Sequence, residues 1–117
     1  MFSWYVVTID DMSFSLSVSP PGREPWQATI AWDSVIRVCF VAEGPLTSDG
    51  LYVFTSTRPE SWAVPTEAVG GAQLLDELMR RGLFDAGLAV RALTSLEGLF
   101  CWPPDGERER TGPAEIA

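Results

Sequence analysis

The sequence alternates strictly between apolar residues and serines from position 12 to position 19. Because successive side chains of a β-strand point to opposite faces, this period of two predicts a strand with one buried and one solvated face. The buried face would carry Met12, Phe14, Leu16 and Val18, and the solvated face would carry only serines.

Five further strands are predicted in the first half of the chain. The β-branched and aromatic residues 4–9 precede the alternating run, and Asp10-Asp11 separates the two, which predicts an antiparallel hairpin. The other strands are predicted at 26–32, 35–42, 51–55 and 61–64. Short strands separated by turn residues in this way are typical of an antiparallel meander. The run 35–42 is almost continuously apolar, which indicates a central position in the sheet.

The period changes from two to that of a helix at Pro65. Thr66 is a suitable N-cap and Gly82 a suitable end, so a first helix is predicted between them. Gly70-Gly71 falls early in this segment, where glycine costs about 1 kcal/mol per residue. The pair indicates either a close approach to the sheet or a later start of the helix.

A second helix is predicted from Asp85, as N-cap, to Gly98. The apolar residues 99–102 follow as a last strand or extended segment. From Pro103 the composition is dominated by Pro, Gly, Glu and Arg, so 103–117 is predicted to be a flexible tail.

These elements predict an α+β fold in which a curved, six- to seven-stranded antiparallel sheet is capped by two C-terminal helices. Residues 1–102 would form a single domain, as the length of 117 residues indicates. The expected core consists of Phe14, Leu16, Ile30, Trp32, Ile36, Val38, Phe40, Val53, Trp62, Leu75, Leu78, Leu88, Leu93 and Phe100.

The composition excludes several classes of function. There is no histidine and no lysine, which removes His-dependent nucleophile systems, imidazole metal ligands and Schiff-base chemistry. We identify no catalytic, cofactor-binding or metal-binding residues and expect no cofactor. The net charge of −8, with only scattered arginines, argues against nucleic acid and against anionic membranes as partners.

The N-terminus has neither a cationic segment nor a cleavage site typical of a signal peptide, so a cytoplasmic location is predicted. Cys39 and Cys101 are then expected to be reduced, as small apolar core residues rather than a disulfide. The chain also has no asparagine, and the lack of Lys and Asn, whose codons are AA-rich, indicates a GC-rich and therefore bacterial genome.

Residues 26–82 resemble bacterial proteins of the pleckstrin-homology-like (PH-like) superfamily. The resemblance lies in WDSVIRV at 32–38, in DGLYVF at 49–54, and in SWAVP at 61–65, where a strand passes into a helix. It implies a PH-like half-barrel. The second helix and the last strand depart from that pattern, and the loop 20–25 contains only Arg23 as a cation, which argues against phosphoinositide binding.

We predict a non-enzymatic binding module that acts through protein–protein contacts. Its candidate partner surface consists of Trp4 and Trp102, near the chain ends, together with Asp10 and Asp11. One form of this hypothesis is an immunity- or antitoxin-like protein whose carboxylates bind a basic partner. The alternative is a small-molecule binder, or a weak enzyme, that uses the concave face of the curved sheet.

Overall fold

The structure is a computed structural model that describes residues 2–43, 49–95 and 97–103. Within these ranges it contains eight strands, one 3₁₀ turn and two α-helices. In chain order they are β1 (Phe2–Ile9), β2 (Ser13–Val18), β3 (Trp26–Ala31), the 3₁₀ turn (Trp32–Ser34), β4 (Val35–Glu43), β5 (Gly50–Thr55), β6 (Arg58–Pro65), β7 (Ala68–Val69), α1 (Gly71–Arg80), α2 (Ala86–Leu93) and β8 (Glu97–Trp102). The predicted α+β class is confirmed.

The first sheet has the strand order β3-β2-β1-β7. The predicted hairpin around Asp10-Asp11 is confirmed, because β1 and β2 are antiparallel with Val7 opposite Leu16. β3 continues the sheet with Ala28 opposite Leu16, so the apolar residues of both strands share the inner face. The two residues of β7 pair with β1 in parallel.

The second sheet has the order β6-β5-β4-β8 and is antiparallel throughout. β4 lies inside this sheet, as its apolar run predicted. A single curved sheet of six to seven strands is not confirmed, because β3 and β4 belong to different sheets. Between them the buried indole of Trp32 donates a hydrogen bond to the carbonyl oxygen of Asp10 (2.9 Å). This contact holds the 3₁₀ turn against the β1–β2 hairpin at the point where the chain leaves the first sheet.

The first helix begins at Gly71, later than predicted. Ala68–Val69 forms β7 instead, and Gly70 then adopts a left-handed conformation (φ 84°) as N-cap. A Cβ atom on Gly70 would lie 2.3 Å from the carbonyl oxygen of Val7. Both explanations of the Gly70-Gly71 pair therefore apply, since the helix starts late and the backbone approaches β1 closely.

The second helix ends at Leu93 rather than at Gly98. Its N-cap is confirmed, because the carboxylate of Asp85 accepts a hydrogen bond from the backbone N–H of Leu88 (2.9 Å). At the other end the hydroxyls of Thr94 and Ser95 both donate to the carbonyl of Arg91, one of the last carbonyls of the helix. Neither α1 nor α2, the helices of the described ranges, is long and apolar enough to cross a membrane.

One hydrophobic core joins the inner faces of both sheets and the two helices. Most of the predicted core residues belong to it, including Phe14, Val38 and Leu78, which are completely buried. The prediction of burial was wrong for Met12, Ile36 and Leu93, which are 74%, 42% and 56% exposed. Val18 is buried, as its strand pattern predicted, and the core also contains residues outside the expected core given above: Tyr5, Val7, Ala42, Leu51, Val64, Ala68, Leu74, Phe84, Ala89 and Ala92.

The expectation of reduced cysteines is wrong, because Cys39 and Cys101 form a disulfide. β4 and β8 pair with these two residues directly opposite each other, and their Cα atoms lie 4.0 Å apart. Residues directly opposite each other in an antiparallel strand pair have their side chains on the same face of the sheet, so the pairing of β4 with β8 itself brings the two sulfur atoms together.

The cytoplasmic location stays a prediction. The predicted tail lies outside the described residues apart from Pro103, and the domain boundary at 102 also stays a prediction.

Candidate functional site

The two sheets differ in what they present on their outward faces. β2 and β5 have the same length and the same alternation of buried and half-buried residues. In β2 the outward positions are all serine, as predicted for a solvated face. In β5 the corresponding positions include Tyr52 and Phe54. The outward face of β5 is therefore aromatic where that of β2 is polar, although Val6 of the neighbouring β1 shares the face of the serines.

Neighbouring strands extend this apolar character across the second sheet. Leu99 on the edge strand β8 is 66% exposed, and Ile36 is 42% exposed at an irregularity in the pairing of β4 with β5. The disulfide lies between them. We call this surface the apolar face and define it as Ile36, Cys39, Val41, Tyr52, Phe54, Leu99 and Cys101.

An open cleft of about 720 Å³ lies at one end of the apolar face. Its volume falls within the range of about 300–1,000 Å³ that is usual for ligand sites. The tight turn between β5 and β6 forms one side of the cleft, and the disulfide and Leu99 form the other. Its lining residues are Ile36, Arg37, Cys39, Phe54, Thr55, Ser56, Thr57, Arg58, Pro59, Leu99 and Cys101.

Arg58 is held in a fixed position beside the cleft. Its Nε donates to the carbonyl oxygen of Glu60 (3.0 Å) and its Nη2 to that of Ser61 (2.8 Å). The guanidinium carbon also lies 3.5 Å from the centroid of the Trp62 ring, which is a cation–π contact. The turn itself is fixed, because the N–H of Ser56 donates to the carbonyl of Ser34 (2.8 Å).

Behind Arg58, a series of aromatic rings connects the two sheets. Trp62 of β6 lies 6.1 Å from Trp26 of β3, and Trp26 lies 6.2 Å from Tyr5 of β1, between ring centroids. The Tyr5 hydroxyl donates a hydrogen bond to the carbonyl of Ala63, and burial raises the pKa of Tyr5 to about 12. These contacts fix β6, and with it Arg58, relative to the first sheet.

The four predicted surface residues do not lie together. Asp10 and Asp11 are both exposed in the β1–β2 turn. Trp4 lies six residues before Asp10 on β1, roughly 20 Å away at the usual rise per residue of a strand. Trp102 belongs to the second sheet, opposite Val38, and both tryptophans are half-buried and packed against the core.

Two arginine side chains, those of Arg80 and Arg81, lie beside the acidic turn of Asp10 and Asp11. Arg81 donates from Nη2 to the carbonyl oxygen of Asp11 (3.0 Å), and its guanidinium carbon lies 4.3 Å from the centroid of the Trp32 ring. Arg80 and Arg81 both form ion pairs with Glu77. Partial desolvation opposes ionisation of Glu77, but the hydrogen bonds and charges of the two arginines outweigh it and lower the pKa of this carboxyl.

The apolar face was missed by the sequence analysis, although the sequence contains a signal for it. The apolar run of β4 was interpreted only as a mark of a central strand. The stronger signal was the contrast between Tyr52 and Phe54 in one short strand and the serines of β2 in another. Arg37 and Cys39 lie two residues apart on β4, and both line the cleft.

The described residues contain no group of three or more His, Cys, Asp or Glu side chains that could hold a metal ion. The groups that line the cleft are arginine, hydroxyl and apolar side chains, which are suited to binding.

No protein-family model matches the chain, and searches of curated proteins and of solved structures find no significant similarity. The resemblance to the PH-like superfamily therefore stays a prediction.

Proposed function

We propose that the chain is a non-enzymatic binding module that acts through protein–protein contacts, and that the apolar face is its docking surface. The contrast between the outward faces of β2 and β5, together with the exposed Ile36 and Leu99 beside β5, carries this proposal. An antiparallel sheet with one solvated face is normally polar on that face, as the serines of β2 illustrate. Exposed apolar patches bordered by polar residues mark interaction sites on soluble proteins.

The composition of the surface supports a protein as the partner. Protein interfaces are enriched in aromatic residues and arginine, and their strongest contacts involve these residues. Tyr52 and Phe54 lie on the apolar face, and Arg37 and Arg58 lie at its end. The exposed Leu99 adds an aliphatic group at the edge of the sheet.

An immunity- or antitoxin-like role with a basic partner is a finer form of the proposal. The exposed carboxylates of Asp10 and Asp11 and the net charge of −8 support it. The arginines beside this turn reduce its negative charge, however, and the apolar face carries arginines of its own. The contacts therefore favour the apolar face over the acidic turn as the principal surface.

The alternative function places a small molecule, or a weak active site, on the concave face of the sheet. The inner faces of the sheets are filled by the core, where Phe40, Val53 and Leu74 are completely buried. A ligand there would have to displace packed side chains. The outward face of the second sheet requires no such displacement.

Affinity capture from extracts of the native host tests the proposal. We expect the wild-type chain to enrich specific proteins, and Leu99→Asp to lose them because it places a charge on the apolar face. Thr8→Asp is the matched control, since Thr8 is exposed on β1 of the first sheet. Enrichment that is unchanged by Leu99→Asp, or no enrichment at all, would contradict the proposed surface.

A further inference from the structure

We propose that the free edge of β3 pairs with the same edge of a second copy of the chain, so that the first sheets of the two copies join into one continuous sheet. β3 (Trp26–Ala31) is the end strand of the first sheet. The apolar face belongs to the second sheet, so this inference goes beyond the proposed function and does not rest on it.

The backbone groups on the free edge of β3 are those of Gln27, Thr29 and Ala31. The N–H of Trp32 donates to the carbonyl of Met12 (3.1 Å), and this pair continues the register of β2 with β3. Hydrogen-bonded pairs alternate along an antiparallel ladder, so the even-numbered residues of β3 bond to β2 and the odd-numbered ones point the other way. No strand in the described parts of the chain pairs with that side of β3. Its N–H and C=O groups are therefore open to another strand.

The other end strands of the two sheets carry features that hinder pairing and that β3 lacks. β7 has only two residues. On β6 the carbonyls of Ser61 and Ala63, which face away from β5 in the ladder, accept hydrogen bonds from the side chains of Arg58 and Tyr5. β8 contains Gly98 with a φ of 141°, which departs from a regular strand. Short length, occupied edge groups and irregular backbone all protect sheet edges, so β3 is the edge best suited to pairing.

The charge of β3 favours a second copy as the occupant. The strand contains none of the 16 acidic residues of the chain, none of its 8 arginines and no proline. Two copies with a net charge of −8 repel each other, so they can approach most closely where neither carries a carboxylate. A neutral strand offers no charge to attract a basic or acidic partner, and its complement is another neutral strand. Twofold pairing of identical surfaces is also the commonest form of association between copies of one chain.

An antiparallel pairing centred on Thr29 uses all the open backbone groups. Thr29 then lies opposite Thr29 of the second copy, and Gln27 lies opposite Ala31 of the second copy, so that opposed residues exchange N–H···O bonds. The carbonyl of Ala31 accepts a hydrogen bond from the Ser34 hydroxyl (2.7 Å), but a carbonyl oxygen has a second lone pair. The Thr29 hydroxyl already lies 3.2 Å from the Ser15 hydroxyl on the outward face. The pairing would extend this row of hydroxyls across the dimer, and opposed threonines are a favourable cross-strand pair.

Sedimentation velocity of the full chain over a dilution series tests the inference. A single pair of strands is a small interface, so we expect a reversible dimer with a Kd in the roughly micromolar range. Thr29→Lys and Thr29→Glu should each weaken dimerisation at least about tenfold, because each places two like charges directly opposite each other. An equimolar mixture of these two variants should restore the dimer, because Lys then lies opposite Glu. Thr8→Lys is the matched control on the same outward face of β1, and it should dimerise like the wild type.

Each of the other outcomes overturns the inference. A wild-type chain that stays monomeric throughout the series has no such interface. A dimer that Thr29→Lys leaves intact forms at another surface, and two folded Thr29 variants that do not associate in the mixture exclude this register. Leu99→Asp should leave the dimer unchanged, and loss of the dimer in this variant would show that the copies meet at the apolar face. Circular dichroism of each variant establishes that it is folded.

Discussion

Removal of the disulfide between Cys39 and Cys101 should destabilise the protein by about 4 kcal/mol. The bond closes a loop with a sequence separation of 62 residues, and the chain-entropy relation for a loop of this size gives about 4 kcal/mol at 25 °C. For a domain of this size the expected fall in Tm is roughly 15–30 °C. Within the described residues β8 is an edge strand that pairs only with β4, so removal of the disulfide also removes the covalent link between this edge and the rest of the sheet.

Urea denaturation of the oxidised protein, of the protein reduced with a phosphine, and of the Cys39→Ala, Cys101→Ala double variant measures this effect. The reduced protein and the variant should lose similar stability, and their m-values should rise because the unfolded chain is no longer cross-linked. Added reductant should not change the double variant. A loss below about 1 kcal/mol in both samples, or two thiols that react freely in the unreduced native protein, would refute the reasoning.

Other variants test the packing around the site. Tyr5→Phe removes the hydrogen bond to Ala63 and should cost about 1 kcal/mol in chemical denaturation. Because burial raises the pKa of Tyr5 to about 12, wild-type stability should fall as pH rises from about 10 through 12, and Tyr5→Phe should lack this fall. Gly70→Ala should cost about 3 kcal/mol or more, since its Cβ would meet the Val7 carbonyl. Gly82 also has a positive φ, but an added Cβ atom would meet no atom within 4 Å, so Gly82→Ala should cost only about 1–2 kcal/mol by the same measurement. Trp102→Ala should lower thermal stability by about 2–3 kcal/mol, because the ring is half-buried against the core; an unchanged melt would contradict this packing.

Local patterns in the sequence predicted most of the elements but not how they assemble. The alternation at positions 12–19 identified β2, and the turn at Asp10 identified the first hairpin. The division into two sheets depends on which strands pair, and a single sequence does not show such non-local pairings. The Gly70-Gly71 pair indicated a late start of α1 as one of two alternatives, but β7 has two residues and no pattern of its own, so it became visible only from its pairing with β1.

The candidate site was harder to predict for a related reason. An apolar strand residue can face the core or a partner, and periodicity alone does not distinguish the two. Phe54 and Phe14 are the same residue type in similar strands, yet one lies on the apolar face and the other in the core. The disulfide was also not predictable, because its formation depends on the register of β4 with β8, which are far apart in the chain.

Hydrogen–deuterium exchange of the chain alone and in complex with a partner captured by the wild-type protein shows directly whether the partner binds at the apolar face. We predict that the partner slows exchange in residues 36–41, 52–59 and 98–102, which contain the apolar face and the cleft. Exchange in residues 13–17 and 27–31, on the polar outward face of the first sheet, should not change. Protection confined to the first sheet or to the turn at Asp10 and Asp11 would contradict it.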